Sequence, residues 1–217
     1  MMEPNELIER TADHVRECLS DEGSGHDWWH SYRVWRTAQR IGRAEDAEPL
    51  VVELAALLHD LGDWKAHGGD STVGPAVARR WLESLGAPAA VVDHVCQIVG
   101  GISFKGAGVE QPPLSLEGQV VQDADRLDAI GAIGIARVFA YGGAKGQLIH
   151  DPHRQPIEHH TAVAYLRSGG TSINHFYEKL LLLRERMNTS TGKTLADQRH
   201  QFMKQFLQRF HQEWEGG

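Results

Sequence analysis

Residues 54–63, LAALLHDLGD, form an apolar run that ends in an adjacent histidine and aspartate, His59 and Asp60. Leucines recur through and just before this run at three- and four-residue spacing, which predicts a buried amphipathic helix. These leucines are Leu50, Leu54, Leu57, Leu58 and Leu61. A charged aspartate beside a histidine at the end of a buried helix is costly unless a partner such as a bound cation compensates it. The pair therefore indicates a metal site, provided that the chain supplies further ligands.

Further candidate ligands lie on both sides of this pair. Upstream, residues 26–30 read HDWWH and precede Arg33 and Val34; downstream, residues 122–128 read QDADRLD. A histidine before Arg-Val, a central His-Asp and a late aspartate followed by a basic residue, in that order, resemble the HD-domain superfamily of metal-dependent phosphohydrolases. The resemblance covers about residues 26–128. It implies four metal ligands, which are His30, His59, Asp60 and Asp125.

A narrower resemblance runs almost end to end, to small bacterial HD hydrolases that act as nucleotide pyrophosphatases. The stretches that carry it are GSGHDWWH, ISFKG, VVQDADRLDAIGAIGIAR, INHFYEKL and MNTSTGK. It implies a nucleoside or deoxynucleoside triphosphate as substrate, with water attacking the alpha phosphorus to release a monophosphate and pyrophosphate. It also implies one divalent metal, manganese, with magnesium, iron, cobalt or nickel as alternatives that nitrogen and oxygen ligands accept.

Two residues one helical turn from the implied ligands are candidates for catalysis. Asp63 follows His59 by four residues, so the two share a helix face. Asp63 could accept a proton from attacking water, or be a solvated carboxylate at a helix end. His26 precedes His30 by four residues and could orient water or substrate, or be a hydrogen-bonded structural histidine.

Two further catalytic candidates flank the late aspartate. Arg126 directly follows Asp125 and is a basic group that could contact a phosphate. Asp128 lies three residues after Asp125, where it could support the metal ligand indirectly or pair with a basic residue.

Basic and polar residues in Gly-rich loops and on a later helix are candidate substrate contacts. A lysine on a flexible loop suits a phosphate as a point charge, although most exposed lysines contact nothing specific. On the later helix, the narrower resemblance favours contacts with substrate, whereas a solvated polar face is the alternative. The candidates are Lys105, Lys145, Tyr141, His175 and Lys179.

Composition limits the class of protein. The chain has 217 residues and a formal net charge of −7, which fits one well-cored domain and argues against a broad nucleic-acid-binding face. The two cysteines show no CxxC spacing, no apolar run reaches membrane-spanning length, and the start lacks a signal-peptide core. We therefore expect a cytoplasmic protein whose substrate is a small phosphorylated molecule, a nucleotide. We expect no membrane or nucleic-acid partner, and a homodimer is one assembly that the sequence leaves open.

The periodicities predict an all-α fold. The resemblance implies that this fold is a single HD-domain helical bundle over residues 1–217, with a metal-binding core at about 26–128 completed by helices within 160–214. Asp27 is placed to cap the second helix or to occupy its first turn, and Pro49 is placed to open the third. Trp28, Trp29 and Trp35 are expected to lie in the core. The predicted helices cover about 5–19, 27–43, 49 to the His-Asp pair, 73–85, 88–99, 116–129, a segment after 131, 171–187 and 191–214. The last helix shows an apolar stripe typical of core or dimer surface, formed by Leu195, Phe202, Phe206, Phe210 and Trp214.

Two other functions fit an HD-like pattern. An HD-type di-iron oxygenase needs about six protein ligands, but His94 is the one extra histidine in the region that would supply them, and its apolar neighbours favour a structural role. A non-catalytic regulatory module that binds a nucleotide often lacks a metal ligand, whereas all four implied ligands are present here. The number of candidate ligands therefore favours a hydrolase with one metal over both the oxygenase and the regulatory module.

Overall fold

The computed structural model of the chain describes residues 2–20, 27–62, 70, 72–102, 113–157 and 170–217. Within these ranges the chain is helical and contains no strand, so the prediction of an all-α fold is confirmed. None of the described helices is by itself long and apolar enough to cross a membrane. The α-helices are α1 (Pro4–Cys18), α2 (Trp28–Ala44), α3 (Pro49–Leu58), α4 (Val73–Ser84), α5 (Ala89–Gly101), α6 (Leu116–Asp128), α7 (Gly131–Ala144), α8 (Ser172–Glu178) and α9 (Ser190–Trp214), and a 3-10 helix covers Leu180–Arg186.

The chain divides into two compact units, and the division falls inside α6. The first unit comprises Met1–Ser103 and Gln111–Asp125, and the second comprises Phe104–Glu110 and Arg126–Gly217. The first unit therefore holds α1 to α5 with most of α6. The second holds the last turn of α6 and all later helices.

The centre of the first unit is α3, which packs against α1, α2 and α5. It begins at Pro49, as predicted, and Glu48 caps it by accepting a hydrogen bond from the Leu50 amide. Every residue from 54 to 58 is fully buried, because this apolar helix has neighbours on several sides. The helix ends immediately before His59, so the most buried helix of this unit delivers the histidine of the His-Asp pair.

The start of α2 is fixed by a side-chain cap. The Asp27 carboxylate accepts a hydrogen bond from the His30 amide at 2.9 Å, which confirms the predicted capping position. The cap satisfies one of the amides that have no partner in the first turn of a helix. It also places His30 in that first turn, on the buried face of α2.

The tryptophans of α2 do not fill the core, and this prediction was wrong. Trp29 is 60% exposed, and Trp28 and Trp35 are only partly buried. The face of α2 that contacts the core carries smaller side chains, among them Val34 and Ala38, which are fully buried. In the sequence, apolar character alone does not distinguish the face of α2 that contacts the core from the neighbouring face that carries the tryptophans.

In the second unit, Phe139 of α7, Phe176 of α8 and Phe206 of α9 form an aromatic cluster with ring centroids 5.7–6.2 Å apart. The predicted helix over 171–187 is divided in two, because Lys179 leaves helical geometry and a 3-10 helix follows. A 3-10 helix has three residues per turn. It therefore places Leu180 and Leu183 on one side, and both are buried.

The apolar stripe of α9 only partly faces the core. Met203 and Leu207 are buried, whereas Phe202 is 48% exposed and Trp214 is also exposed. Each four-residue step advances about 400° around a helix of 3.6 residues per turn, so a line of such steps rotates by about 40° each time. The aromatic stripe therefore moves away from the face that contacts the core.

Replacing Asp27 with alanine removes the cap of α2, so we expect the free energy of unfolding to fall by about 1 kcal/mol. Urea unfolding followed by circular dichroism measures the change. Asp13→Ala, which removes an exposed carboxylate within α1, is the control and should alter the free energy by less than about 0.5 kcal/mol. Equal effects of the two substitutions would contradict the capping role.

Candidate metal centre

Three side chains from α2 and the end of α3 converge in the first unit. His30 Nε2 lies 3.3 Å from His59 Nε2 and 3.1 Å from Asp60 Oδ2. His59 Nε2 lies 3.5 Å from the same carboxylate oxygen. Within the described part of the chain, this is the one group of three or more His, Cys, Asp or Glu residues whose ligand atoms all lie within 4.8 Å of one another. Two imidazole nitrogens and a carboxylate oxygen that meet in this way suit a divalent cation.

Asp125 of α6 lies beside this group. Its Oδ1 is 3.5 Å from His30 Nε2 and 3.9 Å from His59 Nε2. The Asp125 side chain is 35% exposed, whereas those of His30, His59 and Asp60 are 1%, 3% and 13% exposed. The four candidate ligands of the sequence therefore lie together, and Asp125 occupies the side that is more open to solvent.

The orientation of His59 is fixed by a hydrogen bond from its other ring nitrogen. Nδ1 lies 2.8 Å from the carbonyl oxygen of Ala56. Because a carbonyl oxygen can only accept, Nδ1 carries a hydrogen, and in the neutral ring this leaves the lone pair of Nε2 for a cation. Metal-binding histidines usually have such a partner on the second nitrogen. The helical position of Ala56, three residues before His59, supplies it without any additional side chain.

The donor set also suits a divalent ion electrostatically. The two imidazoles can bind as neutral groups, and the two carboxylates together carry a charge of −2 that a divalent cation would neutralise. His30 and Asp60 are too poorly hydrated to hold uncompensated charge at low cost. The absence of sulfur among the four groups favours ions that accept nitrogen and oxygen.

A residue that the sequence motif did not single out is Ser31. It follows His30 directly, is fully buried, and its Oγ has no hydrogen-bond partner among the described residues. A buried hydroxyl without a partner costs about 1–3 kcal/mol. In the sequence, its spacing of three residues from Val34 indicates that the two side chains share one face of α2.

The structure places the other catalytic candidates in different settings. Arg126 donates a hydrogen bond to the carbonyl oxygen of Arg186, and the Asp128 carboxylate accepts one from Arg137 Nη1 at 2.5 Å. Both side chains thus have polar partners within the second unit. Their catalytic roles remain predictions. His26 and Asp63, like the substrate candidate Lys105, lie outside the described residues.

The described substrate candidates lie in the second unit. Tyr141 is exposed near the end of α7, and the Lys145 ammonium lies 5.8 Å from the centre of its ring. His175 is on α8 and Lys179 follows its end, and both are partly buried. Contact of these four residues with a substrate remains a prediction.

His94 has a structural setting. Its Nε2 lies 2.8 Å from Ser115 Oγ and 3.6 Å from a carboxylate oxygen of Glu117. These contacts tie α5 to the start of α6 within the first unit. They agree with the interpretation of His94 as a structural histidine rather than a ligand of a second metal.

Comparison with known proteins identifies the family. Residues 28–130 match the model of the HD domain. The chain is also 42% identical over 205 residues to the uncharacterized protein YpgQ of Bacillus subtilis, covering 93% of this chain and 91% of YpgQ. The chain belongs to the HD superfamily. Proteins of this family bind divalent metals, which agrees with the cluster of His30, His59 and Asp60.

Several solved structures are similar to this chain over almost its whole length. A crystal structure of an HD-superfamily hydrolase from Bacillus thuringiensis is 40% identical with a TM-score of 0.79, covering 99% of this chain and 100% of the other. A crystal structure of a protein from Lactobacillus plantarum is 39% identical with a TM-score of 0.84, and the match covers 100% of both chains. Bacillus subtilis YpgQ in complex with ADP is 36% identical with a TM-score of 0.78, covering 98% and 97%. The similarity to the Bacillus thuringiensis hydrolase supports a phosphohydrolase as the class of enzyme.

We expect a bound divalent metal to stabilise the fold, because it binds the native arrangement of ligands and not the unfolded chain. At a metal concentration of about 100 times Kd the gain is about 2.7 kcal/mol, or roughly 5–10 °C in Tm for a chain of this size. Calorimetry with a chelator, and again after manganese is added back, measures the change. An unchanged Tm, together with no metal in elemental analysis, would count against the site.

We expect His59→Ala and Asp125→Ala to lose the metal, because each removes a donor atom from the cluster. His94→Ala is the matched control: it removes a histidine of the same unit that contacts Ser115 and should retain metal. His26→Ala and Asp63→Ala should also retain it but slow turnover, since both residues are predicted to orient water or substrate. Elemental analysis after gel filtration gives the metal content, and loss of metal from His26→Ala would show that the first histidine is assigned wrongly.

Proposed function

We propose that this protein is a metal-dependent phosphohydrolase that converts a nucleoside or deoxynucleoside triphosphate to the monophosphate and pyrophosphate. The observation that carries the proposal is the convergence of His30, His59 and Asp60 beside the more exposed Asp125. These two imidazoles and two carboxylates would hold one divalent ion, which would supply a site for activating water beside a phosphate oxygen. Membership of the HD superfamily supports hydrolysis as the reaction class.

Each residue has a defined task in this proposal. His30 and His59 contribute neutral nitrogen ligands, and the carbonyl of Ala56 keeps His59 in the tautomer that can bind. Asp60 and Asp125 contribute the negative charge that attracts the cation. When bound, a divalent ion lowers the pKa of a coordinated water and stabilises negative charge on a phosphate oxygen. Asp63, four residues after His59, is the candidate acceptor for the proton of the attacking water.

The nucleotide part of the proposal has two supports. One is the narrower resemblance to nucleotide pyrophosphatases, and the other is that the similar protein YpgQ has a crystal structure in complex with ADP. The chain itself carries a net charge of −7, so a polyphosphate must be held by local cations rather than by the overall field of the protein. Lys105, Lys145, Lys179 and Arg126 are the candidates.

The position of these lysines in the sequence favours cleavage at the alpha phosphorus. Lys105 directly precedes Gly106 in a Gly-rich stretch of the sequence, and Lys145 is the C-cap residue of α7, next to Gly146. A lysine ammonium is a point charge on a flexible four-carbon stem, which suits the beta and gamma phosphates of an outgoing pyrophosphate. The alpha phosphorus would then be the one at the metal, with manganese as the preferred ion. A nucleoside diphosphate should react poorly and a monophosphate not at all.

Phosphorus NMR of the products formed from a triphosphate in oxygen-18 water tests which bond breaks. We expect the label in the monophosphate and intact pyrophosphate as the second product, because attack occurs at the alpha phosphorus. Asp125→Ala should give no product, whereas His94→Ala should give the same products as the unaltered protein.

Other outcomes of this experiment exclude the proposal in different ways. Orthophosphate as the first product, or label in pyrophosphate, would place the attack elsewhere on the chain of phosphates. Binding of a nucleotide without any product would favour a regulatory module. Two equivalents of iron with no phosphate chemistry would favour the oxygenase alternative.

A further inference from the structure

An arginine of the last helix contacts the end of the helix that carries Asp125. Arg199 of α9 donates a hydrogen bond from Nη1 to the carbonyl oxygen of Leu127. Leu127 belongs to the last turn of α6 and lies two residues after Asp125. Arg199 is partly buried and lies far from the metal motifs in the sequence.

The contacted carbonyl belongs to a group that normally lacks partners. The last four carbonyls of an α-helix have no amide donor inside the helix. The Leu127 carbonyl accepts from the Ile130 amide at 3.2 Å and also from the Arg199 guanidinium. A cation at this end also interacts favourably with the helix dipole. The contact thus stabilises the terminal turn of α6 in two ways.

The chain leaves space for the Arg199 side chain at Gly131. This glycine has a φ of +75°, and a Cβ placed on it would lie 2.9 Å from Arg199 Cγ and 3.1 Å from Arg199 Cβ. Any other residue would be strained in its backbone and would displace the arginine. The aliphatic part of Arg199 therefore lies directly on the Gly131 backbone, and this fixes the path of its guanidinium towards Leu127.

Neighbouring contacts anchor the same turn. Arg126 donates to the carbonyl of Arg186, and Asp128 pairs with Arg137. Three consecutive residues that follow Asp125 are thus each held by another element or by the next helix. Because the Asp125 side chain is the most exposed of the four candidate ligands, packing around the carboxylate constrains it least. Its position depends on the helix that carries it.

We propose that Arg199 is a positioning residue for the metal centre: its hydrogen bond to Leu127 fixes the last turn of α6 and thereby the Asp125 carboxylate. This inference rests on the proposed metal-dependent function. Arg199 supplies no donor atom to the ion, and its role is to restrict the positions that the fourth ligand can occupy. Loss of contacts that orient metal ligands typically weakens metal binding by about 10–100-fold.

The direction of the change in metal affinity distinguishes a positioning role of Arg199 from a purely electrostatic one. If Arg199 acted only through its charge, replacing it with a neutral residue would strengthen the binding of a cation, because a positive charge is removed. If Arg199 holds α6, the same replacement weakens binding. Arg199→Met keeps a long apolar stem over Gly131 and removes every donor. Arg199→Lys keeps the positive charge and one donor group, but on a shorter side chain.

The experiment is a calorimetric titration of the metal-free full-length protein with MnCl2. We expect Arg199→Met to bind manganese about tenfold more weakly and Arg199→Lys to lie between it and the unaltered protein. Arg209→Met is the matched control: it removes an arginine of the same helix that pairs with the exposed Glu213, and its affinity should be unchanged or slightly higher. Hydrogen exchange should be faster at the Ile130 amide in Arg199→Met and unchanged there in Arg209→Met.

Each contrary result has one meaning. An unchanged or higher affinity of Arg199→Met, with the unaltered protein binding manganese normally, would overturn the positioning role and leave the proposed function intact. Absence of manganese binding by the unaltered protein would overturn the proposed function, and the positioning role with it. If Arg199→Met does not fold, the comparison of Arg199→Lys with Arg209→Met decides, and equal affinities of these two would overturn the inference.

Discussion

The approach of two imidazole nitrogens, His30 Nε2 and His59 Nε2, to 3.3 Å is the constraint on which the first unit depends. It requires α2 to begin, and α3 to end, at one particular residue each. A shift of either helix by a single residue would rotate its histidine by about 100° away from the other. The Asp27 cap fixes the start of α2, and the complete burial of residues 54–58 fixes α3. The same cap and the same packing that stabilise the two helices thus also determine the geometry of the candidate metal centre.

Much of this arrangement follows from the sequence, because it depends on local patterns. The leucine spacing, the first-turn Pro49 and the Asp27 cap depend on residues within one or two turns, and the observed helices begin and end close to the predicted positions. His59 and Asp60 are adjacent in the sequence, so their proximity follows from the chain itself. The order of three motifs in the sequence identified His30 and Asp125 as further candidate ligands, and the structure places both beside that pair.

Features that depend on pairing between distant elements were not predictable in the same way. Trp29 and Phe202 are exposed because the neighbouring helix faces, with smaller or differently spaced side chains, are the ones that meet the core. The partners of Arg126 and Asp128 belong to segments that the sequence does not mark as neighbours, Arg186 and Arg137. The contact of Arg199 with Leu127 spans 72 residues of the chain, and no spacing rule relates positions so far apart. Tertiary contacts decided these features, and the local pattern was compatible with several outcomes.

The chemical composition of the donor set has a consequence for oxidative stress. Thiolate ligands are oxidised by peroxide, and a site that depends on them then releases its ion. Imidazole and carboxylate groups do not react with peroxide itself. The two thiols of the chain are also poorly reactive, because burial raises the pKa of Cys18 and of Cys96, with the charge of Glu17 adding to the effect at Cys18. The ligands would therefore keep their capacity to hold an ion under oxidising conditions that destroy thiolate-based centres.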